Sequence, residues 1–202
     1  MQFDRSQNVP RFTNYQHYRP HLRQDFLSHC AYCTGHETEL GGEDHFEIDH
    51  FRPTSKFPGQ INNYRNLYYA CRGCNKVGAK GEQWPTPALR RAGYRFFDPV
   101  QENAYVLHLR EMPSGRLRDR TRVGDYSLTK LRLNRDGLVM LRKKRRQMRQ
   151  LLHRELRSLL AASRQIQQQQ GQQPLPATVA RLQQVRDLLK TGPVLTLLPD
   201  WW

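Results

Sequence analysis

Residues 47–53 read EIDHFRP, and the Asp49–His50 pair inside this stretch decides how the chain around it is read. Upstream lies CAYC, residues 30–33, and downstream lies CRGC, residues 71–74; together they use all four cysteines of the 202-residue chain. Two intervening residues form a tight knuckle that lets both thiolates meet one ion. Two such pairs supply the donor set of a tetrahedral zinc site. Four protein ligands close the coordination sphere, so one structural zinc per chain is expected. A redox pair and two unrelated buried thiols are the alternatives.

Between the knuckles, His45–Asp49 alternates as a strand, with Phe46 and Ile48 on one face and His45, Glu47 and Asp49 on the other. Alternation puts His50 opposite Asp49, so both serve one site only if the strand ends there. Arg52-Pro53 is consistent with such a stop. A loop rich in Pro, Gly and Asn follows. LYYAC, Leu67–Cys71, then reads as a second strand, and CNKVGAK as a short helix opening at Cys74-Asn75. The order is strand, loop, strand, helix, with a metal clip at its base.

The composition bounds the partner. Lys and Arg number 33 against 18 Asp and Glu, a net charge of +15, with a pI near 10.2 and a mean hydropathy of −0.85. A polyanion is implied, and nucleic acid is the favoured reading over an anionic membrane surface or a solvated charged face. The densest run is LRKKRRQMR, Leu141–Arg149, in which Arg142, Lys143, Lys144, Arg145 and Arg146 repel one another unless phosphates neutralise them. No stretch approaches eighteen apolar residues, and the first residues lack a basic-then-apolar leader pattern, so a soluble cytoplasmic protein with no membrane partner is expected.

Taken singly, an Asp-His dipeptide is a surface or capping pair, Asn66 a turn residue and Asn75 a helix cap. Taken jointly, Cys30-x-x-Cys33, Asp49-His50-x-x-Pro53, Asn66-Leu67, Cys71-x-x-Cys74-Asn75 and Lys80 resemble the HNH nucleases, over roughly Phe26 to Lys80. In that family a ββα-metal site is often stapled by a zinc on four cysteines. Asn75 stands where many members carry histidine, as in a large subgroup with asparagine there. The resemblance implies that His50 is the general base and that Asn66 braces its loop. It implies that Asp49 and Asn75 hold one magnesium or manganese ion. Such chemistry is coherent: imidazole titrates near neutrality, and a carboxylate with an amide oxygen are hard donors suited to magnesium. Arg52, Arg72, Lys76 and Lys80 are the core's candidates for phosphate contact.

The expected fold class is α+β: a zinc-stapled ββα-metal core, a small hairpin region and a C-terminal helical hairpin. The domain reading is 1–25 as an N-terminal extension, 26–85 as the nuclease core, 86–135 as an accessory region and 136–202 as a basic helical hairpin with an apolar tail. Tyr94–Asp98 and Tyr105–Arg110 read as strands, with a Pro113-Ser114-Gly115 turn leading into RLRDR. Ser127–Leu133 reads as one or two helical turns. From about Asp136, Leu141, Met148, Leu152, Leu156 and Leu159 mark a helical stripe. Gln165–Pro176 reads as an exposed connector, and Thr178–Lys190 as a second helix. The functional expectation is an endonuclease hydrolysing phosphodiester bonds in DNA, with RNA as an alternative substrate. The resemblance extends to bacterial restriction or anti-phage effectors, where the C-terminal hairpin and tail would meet other subunits. The competing classes are a non-catalytic zinc module that binds nucleic acid and an interaction subunit of a larger complex.

Overall fold

The structure, a computed structural model, describes residues 2–76, 78–170 and 176–191. It divides into two compact units, Met1–Met140 and Leu141–Trp202. The first combines short helices with two antiparallel hairpins, an α+β arrangement.

The first unit is organised by one hairpin. Strand β1 (Phe46–His50) pairs antiparallel with β2 (Leu67–Cys71), in a register that sets Phe46 opposite Cys71 and His50 opposite Leu67. All of β2 is buried, which suits its continuous apolar run, and Phe46 stacks on Tyr69 with ring centroids 4.8 Å apart. Helix α1 (Arg19–Asp25) carries Pro20 in its first turn, where no backbone N–H is missed, and Leu22 on its buried face. The chain then turns through Leu27 and Ser28, both at positive φ, into the first cysteine pair. Ala31 N–H donates to the Tyr69 carbonyl at 2.8 Å, so this knuckle is pinned to β2. At the other edge Arg5 is buried, donates to the Leu67 carbonyl at 2.8 Å and pairs with Asp25 at 3.3 Å. The N-terminal segment is thereby part of the hairpin's packing.

A one-turn helix, α2 (Arg72–Asn75), follows β2 directly, and α3 (Pro87–Arg91) follows a loop. Tyr94–Asp98, expected as a strand, has no ladder. Phe96 and Phe97 are both buried, which defeats alternation, and Phe97 N–H is met by the Ser127 hydroxyl at 2.9 Å instead of a neighbouring strand. Residues 105–107, also expected in a strand, form the end of helix α4 (Ala104–Leu107), because His108 N–H closes back on the Ala104 carbonyl. The expected hairpin turn at Pro113–Gly115 does join two strands, β3 (Leu109–Glu111) and β4 (Leu117–Asp119). Helix α5 (Arg122–Lys130) starts earlier than the leucine spacing implied, because the Thr121 hydroxyl accepts from Gly124 N–H and caps it.

In the second unit, helix α6 (Asp136–Gln170), which begins at the end of the first, runs through Gln165–Gln170, the first part of the tract expected to form a connector. Glutamine is a good helix former, and neither Pro nor Gly interrupts the tract from Gln165 before Gly171. Helix α7 (Pro176–Thr191) is tied to it by Arg181, whose guanidinium pairs with Glu155 at 2.7 Å, and it buries Leu182 and Val185. Of the expected stripe on α6, Leu141, Leu152, Leu156 and Leu159 are half-buried and Met148 is 47% exposed, while Leu138, Arg142 and Arg145 are buried. Arginine stems cover apolar surface, so two cations of the basic run share the buried side of the helix with its leucines. The apolar ending, residues 192–202, and the tract 171–175 lie outside the described residues. No described helix is long and apolar enough to cross a membrane.

One carboxylate holds the accessory region together. Glu102 takes a two-pronged contact from Arg95 (2.6 and 2.9 Å), a bond from His108 Nε2 (3.0 Å) and one from Asp98 N–H (2.8 Å). Burial raises its pKa, but these donors outweigh burial and hold the carboxyl at about 2. A depressed carboxyl stabilises the fold above its unfolded pKa and loses that contribution as pH falls toward the folded value. Glu102→Gln should therefore cost up to about 3 kcal/mol at neutral pH, and its deficit should close between about pH 5 and pH 2. Urea denaturation of both proteins across that range checks it.

Candidate active site and metal centre

The two ends of the β1–β2 hairpin carry different chemistry. At the Phe46/Cys71 end, Cys30, Cys33, Cys71 and Cys74 bring their sulfurs within 4.8 Å of one another, all buried and none in a disulfide. The Cys33 and Cys71 sulfurs are 3.8 Å apart. A tetrahedron with metal–sulfur bonds of about 2.3 Å has edges of about 3.8 Å, so the cluster has the size of a four-thiolate site. The first knuckle owes its shape to local bonds: Cys30 N–H donates to the Gly35 carbonyl at 2.8 Å, and Thr34, at φ 57°, donates back to Cys30 at 2.9 Å.

A residue that sequence reading missed lies over this cluster. Arg135 donates to the Cys74 sulfur at 3.5 and 3.4 Å from its two terminal nitrogens, and to the Cys71 sulfur at 3.6 Å. Burial lowers its pKa, but charge on Cys74 and Cys33 outweighs burial and holds it above its ordinary value. Sixty-one residues separate Arg135 from Cys74, and nothing marks it among the other basic residues in the sequence.

At the opposite end, β1 runs through His50, so pleating sends Asp49 and His50 to opposite sides. Asp49 is 3% exposed; its carboxylate accepts from the Tyr32 hydroxyl and pairs with the Lys80 ammonium at 3.5 Å. Burial raises the Asp49 carboxyl above the ordinary range, against the pull of Lys80 and Tyr32. Tyr32 lies between the first two cysteines, so that knuckle also buttresses Asp49. Lys80 was expected to reach phosphate. It is fully buried instead, donating to the His50 carbonyl at 3.0 Å, where its charge meets both a carboxylate and a carbonyl.

His50 is half-exposed. Its Nε2 lies 2.9 Å from the Ile61 carbonyl, and Tyr15 stands edge-on to the ring at 4.8 Å. A carbonyl only accepts, so Nε2 carries the proton and the lone pair of neutral imidazole is on Nδ1. Asn66 is buried and closes the loop between the strands: its carbonyl accepts from Arg52 N–H at 2.8 Å, and its amide donates to the Arg52 carbonyl at 3.0 Å. Asn75 donates to Glu47 at 3.0 Å, and Arg72 pairs with the same carboxylate at 3.2 Å. Asn75 therefore meets the carboxylate two residues before Asp49, on the same strand face. The i−2 spacing within EIDH is the signal that puts Glu47 there.

Ile61, whose carbonyl meets His50, also lies in the wall of a cleft of about 750 Å³. Arg11, Phe12, Asn62, Tyr64 and Arg65 line it, and no carboxylate does. Of the remaining basic candidates, Arg52, Arg72, Lys76, Lys143 and Lys144 are exposed and Arg146 is half-exposed. Arg142 and Arg145 are each only 4% exposed, so the run of five is not a continuous cationic surface.

No curated protein matches the chain. Residues 30–78, a span that opens on the first cysteine of the cluster and takes in the β1–β2 hairpin and Asn75, match the family model of the HNH endonucleases.

Proposed function

We propose that the protein is a metal-dependent endonuclease that hydrolyses phosphodiester bonds in DNA, with His50 as the general base. The observation that carries this reading is the bond between His50 Nε2 and the Ile61 carbonyl. It commits one ring nitrogen to donation and leaves Nδ1 able to take a proton from water. Asn66 fixes the geometry from behind, since both ends of its amide hold Arg52, two residues past the base. A free-swinging imidazole would lose the orientation on which proton transfer depends.

The donor chemistry fits a divalent cation. Asp49, Glu47 and the side-chain carbonyl of Asn75 are hard oxygens, the class that suits magnesium or manganese. Asn75 gives only its amide nitrogen to Glu47, which leaves its oxygen for an ion. Asp49 is the more constrained donor, because Lys80 already neutralises it. A divalent ion held by these oxygens supplies positive charge against the phosphate and the leaving oxygen. The cysteine cluster fits zinc by sulfur spacing and by its four soft donors. Because Asn75 follows Cys74 directly, the zinc would also locate a ligand of the catalytic ion.

The cleft walled in part by Ile61 suits a nucleotide strand: arginines for phosphate, aromatic faces for bases and amides for base edges. Arg52, Arg72 and Lys76 would extend this contact on the core, and Lys143, Lys144 and Arg146 would add backbone contacts of their own. A role in restriction or anti-phage defence is the biological setting we infer from the resemblance of the motif set.

Four outcomes are expected. With magnesium or manganese the protein should nick supercoiled plasmid, and EDTA should stop it. His50→Ala should cut about 10²-fold or more slowly while binding DNA as before; near-normal cutting would remove the base assignment, and binding without any cutting by the wild type would favour a non-catalytic module. Manganese binding, followed by electron paramagnetic resonance, should weaken in Asn75→Ala and Asp49→Asn but not in His50→Ala. In Arg11→Ala/Arg65→Ala, affinity for DNA of any sequence should fall, and its dependence on log salt should flatten by about 0.7–0.9 for each phosphate left without its arginine. An unchanged salt slope would take the cleft out of the DNA path.

A further inference from the structure

We infer that Arg135 is a working part of the metal centre: its guanidinium hydrogen-bonds the zinc-bound sulfurs of Cys71 and Cys74 and slows loss of the metal. The inference rests on the reading of the cysteine cluster as a zinc site.

The geometry is specific. Both terminal nitrogens of Arg135 reach the Cys74 sulfur, at 3.5 and 3.4 Å, and one also reaches the Cys71 sulfur at 3.6 Å. These are N–H···S distances, and both acceptors belong to the second knuckle. The planar fork of arginine can span two sulfurs, which a lysine ammonium cannot do as well. The same guanidinium donates to the carbonyls of Leu131 and Arg132 at 3.3 and 3.4 Å, which end α5 and begin the short link to α6. It is thereby aimed from its own side as well.

The second knuckle leaves room for it. A Cβ built on Gly73 would lie 2.9 Å from an Arg135 terminal nitrogen and 3.2 Å from its central carbon. Any larger residue between Cys71 and Cys74 at that position would push the guanidinium away. The glycine in CRGC therefore answers to a residue sixty-two positions later, not to the backbone of the knuckle.

The electrostatics supply the reason. One divalent zinc on four thiolates leaves a formal double negative charge in a buried cluster, where such charge is costly. A cation bonded directly to the sulfurs offsets part of it. Partners just outside a metal's ligands commonly change its affinity about 10–100-fold.

The test reads metal, not cleavage. Purified wild-type protein should contain one zinc per chain and give it up slowly to the chromogenic chelator pyridylazoresorcinol. Arg135→Gln should release zinc about 10–100-fold faster with an unchanged circular dichroism spectrum, and Arg135→Lys should fall between the two. Gly73→Ala, which leaves Arg135 in the chain but displaces its guanidinium, should shift release in the same direction, so the idea stays testable if Arg135→Gln does not fold. With cobalt in place of zinc, the thiolate-to-metal absorption band should move to lower energy in both variants, as sulfurs lose their hydrogen bonds. Release and absorption like wild type in Arg135→Gln, or in Gly73→Ala where Arg135→Gln does not fold, would overturn the inference while the zinc site stands. A wild type that folds without zinc would overturn both.

Discussion

Four sulfurs from two segments about forty residues apart must converge on one point, and much of the first unit depends on that convergence. The two knuckles flank the β1–β2 hairpin, one pinned to β2 through Ala31 and Tyr69, the other continuing from β2 into α2. A hairpin with a sixteen-residue loop is marginal by itself, because closing the loop costs entropy and two short strands bury little. A metal ion on the four cysteines would cross-link the segments that flank it and shrink that cost. It also locates Asn75, one residue past Cys74, and Tyr32, one residue before Cys33, without any further element. One clip therefore aims a donor at Glu47 and a hydroxyl at Asp49.

The other end of the hairpin is held by polar groups that are buried and satisfied. Lys80 and Asp49 form an ion pair with almost no solvent, and such a pair is stable only when its remaining hydrogen bonds are met. Lys80 meets the His50 carbonyl, and Asp49 the Tyr32 hydroxyl. The pair thus fixes the backbone on which the His50 ring turns, and the Ile61 carbonyl then fixes the ring. Asn66 closes the loop between them. The half-exposed imidazole sits on backbone held by the buried side chains of Lys80, Asp49 and Asn66, an arrangement that favours positioning over mobility.

Much of this was legible in the residues. Two cysteine pairs using every cysteine announced a common site, because no other donor set of that softness exists in the chain. Alternation from Phe46 to Asp49 announced β1, the apolar run at Leu67 announced β2, and Pro113–Gly115 announced the second hairpin. The joint spacing of Asp49, His50, Asn66 and Asn75 named a family over the same region that the family model matches. These are local signals: a period of two, a turn dipeptide and a ligand spacing are all written within a few residues.

Tertiary structure alone decided the rest, because the deciding partners lie far along the chain. Phe96 and Phe97 look like strand residues, yet both sides of that segment are buried and a serine thirty residues on satisfies its backbone. Lys80 looks like a phosphate contact, yet Asp49 offers it a charge inside the protein. Arg142 and Arg145 belong to a run of five cations, yet both take buried positions on α6. Arg135 carries no local mark, and only the fold brings it to Cys71 and Cys74. Sequence by itself determined which donor groups the chain carries and at what spacing, since these are properties of side chains and their order. Which charges face solvent and which are spent inside was decided by long-range packing, since the cost of burying a charge depends on partners that sequence distance does not reveal.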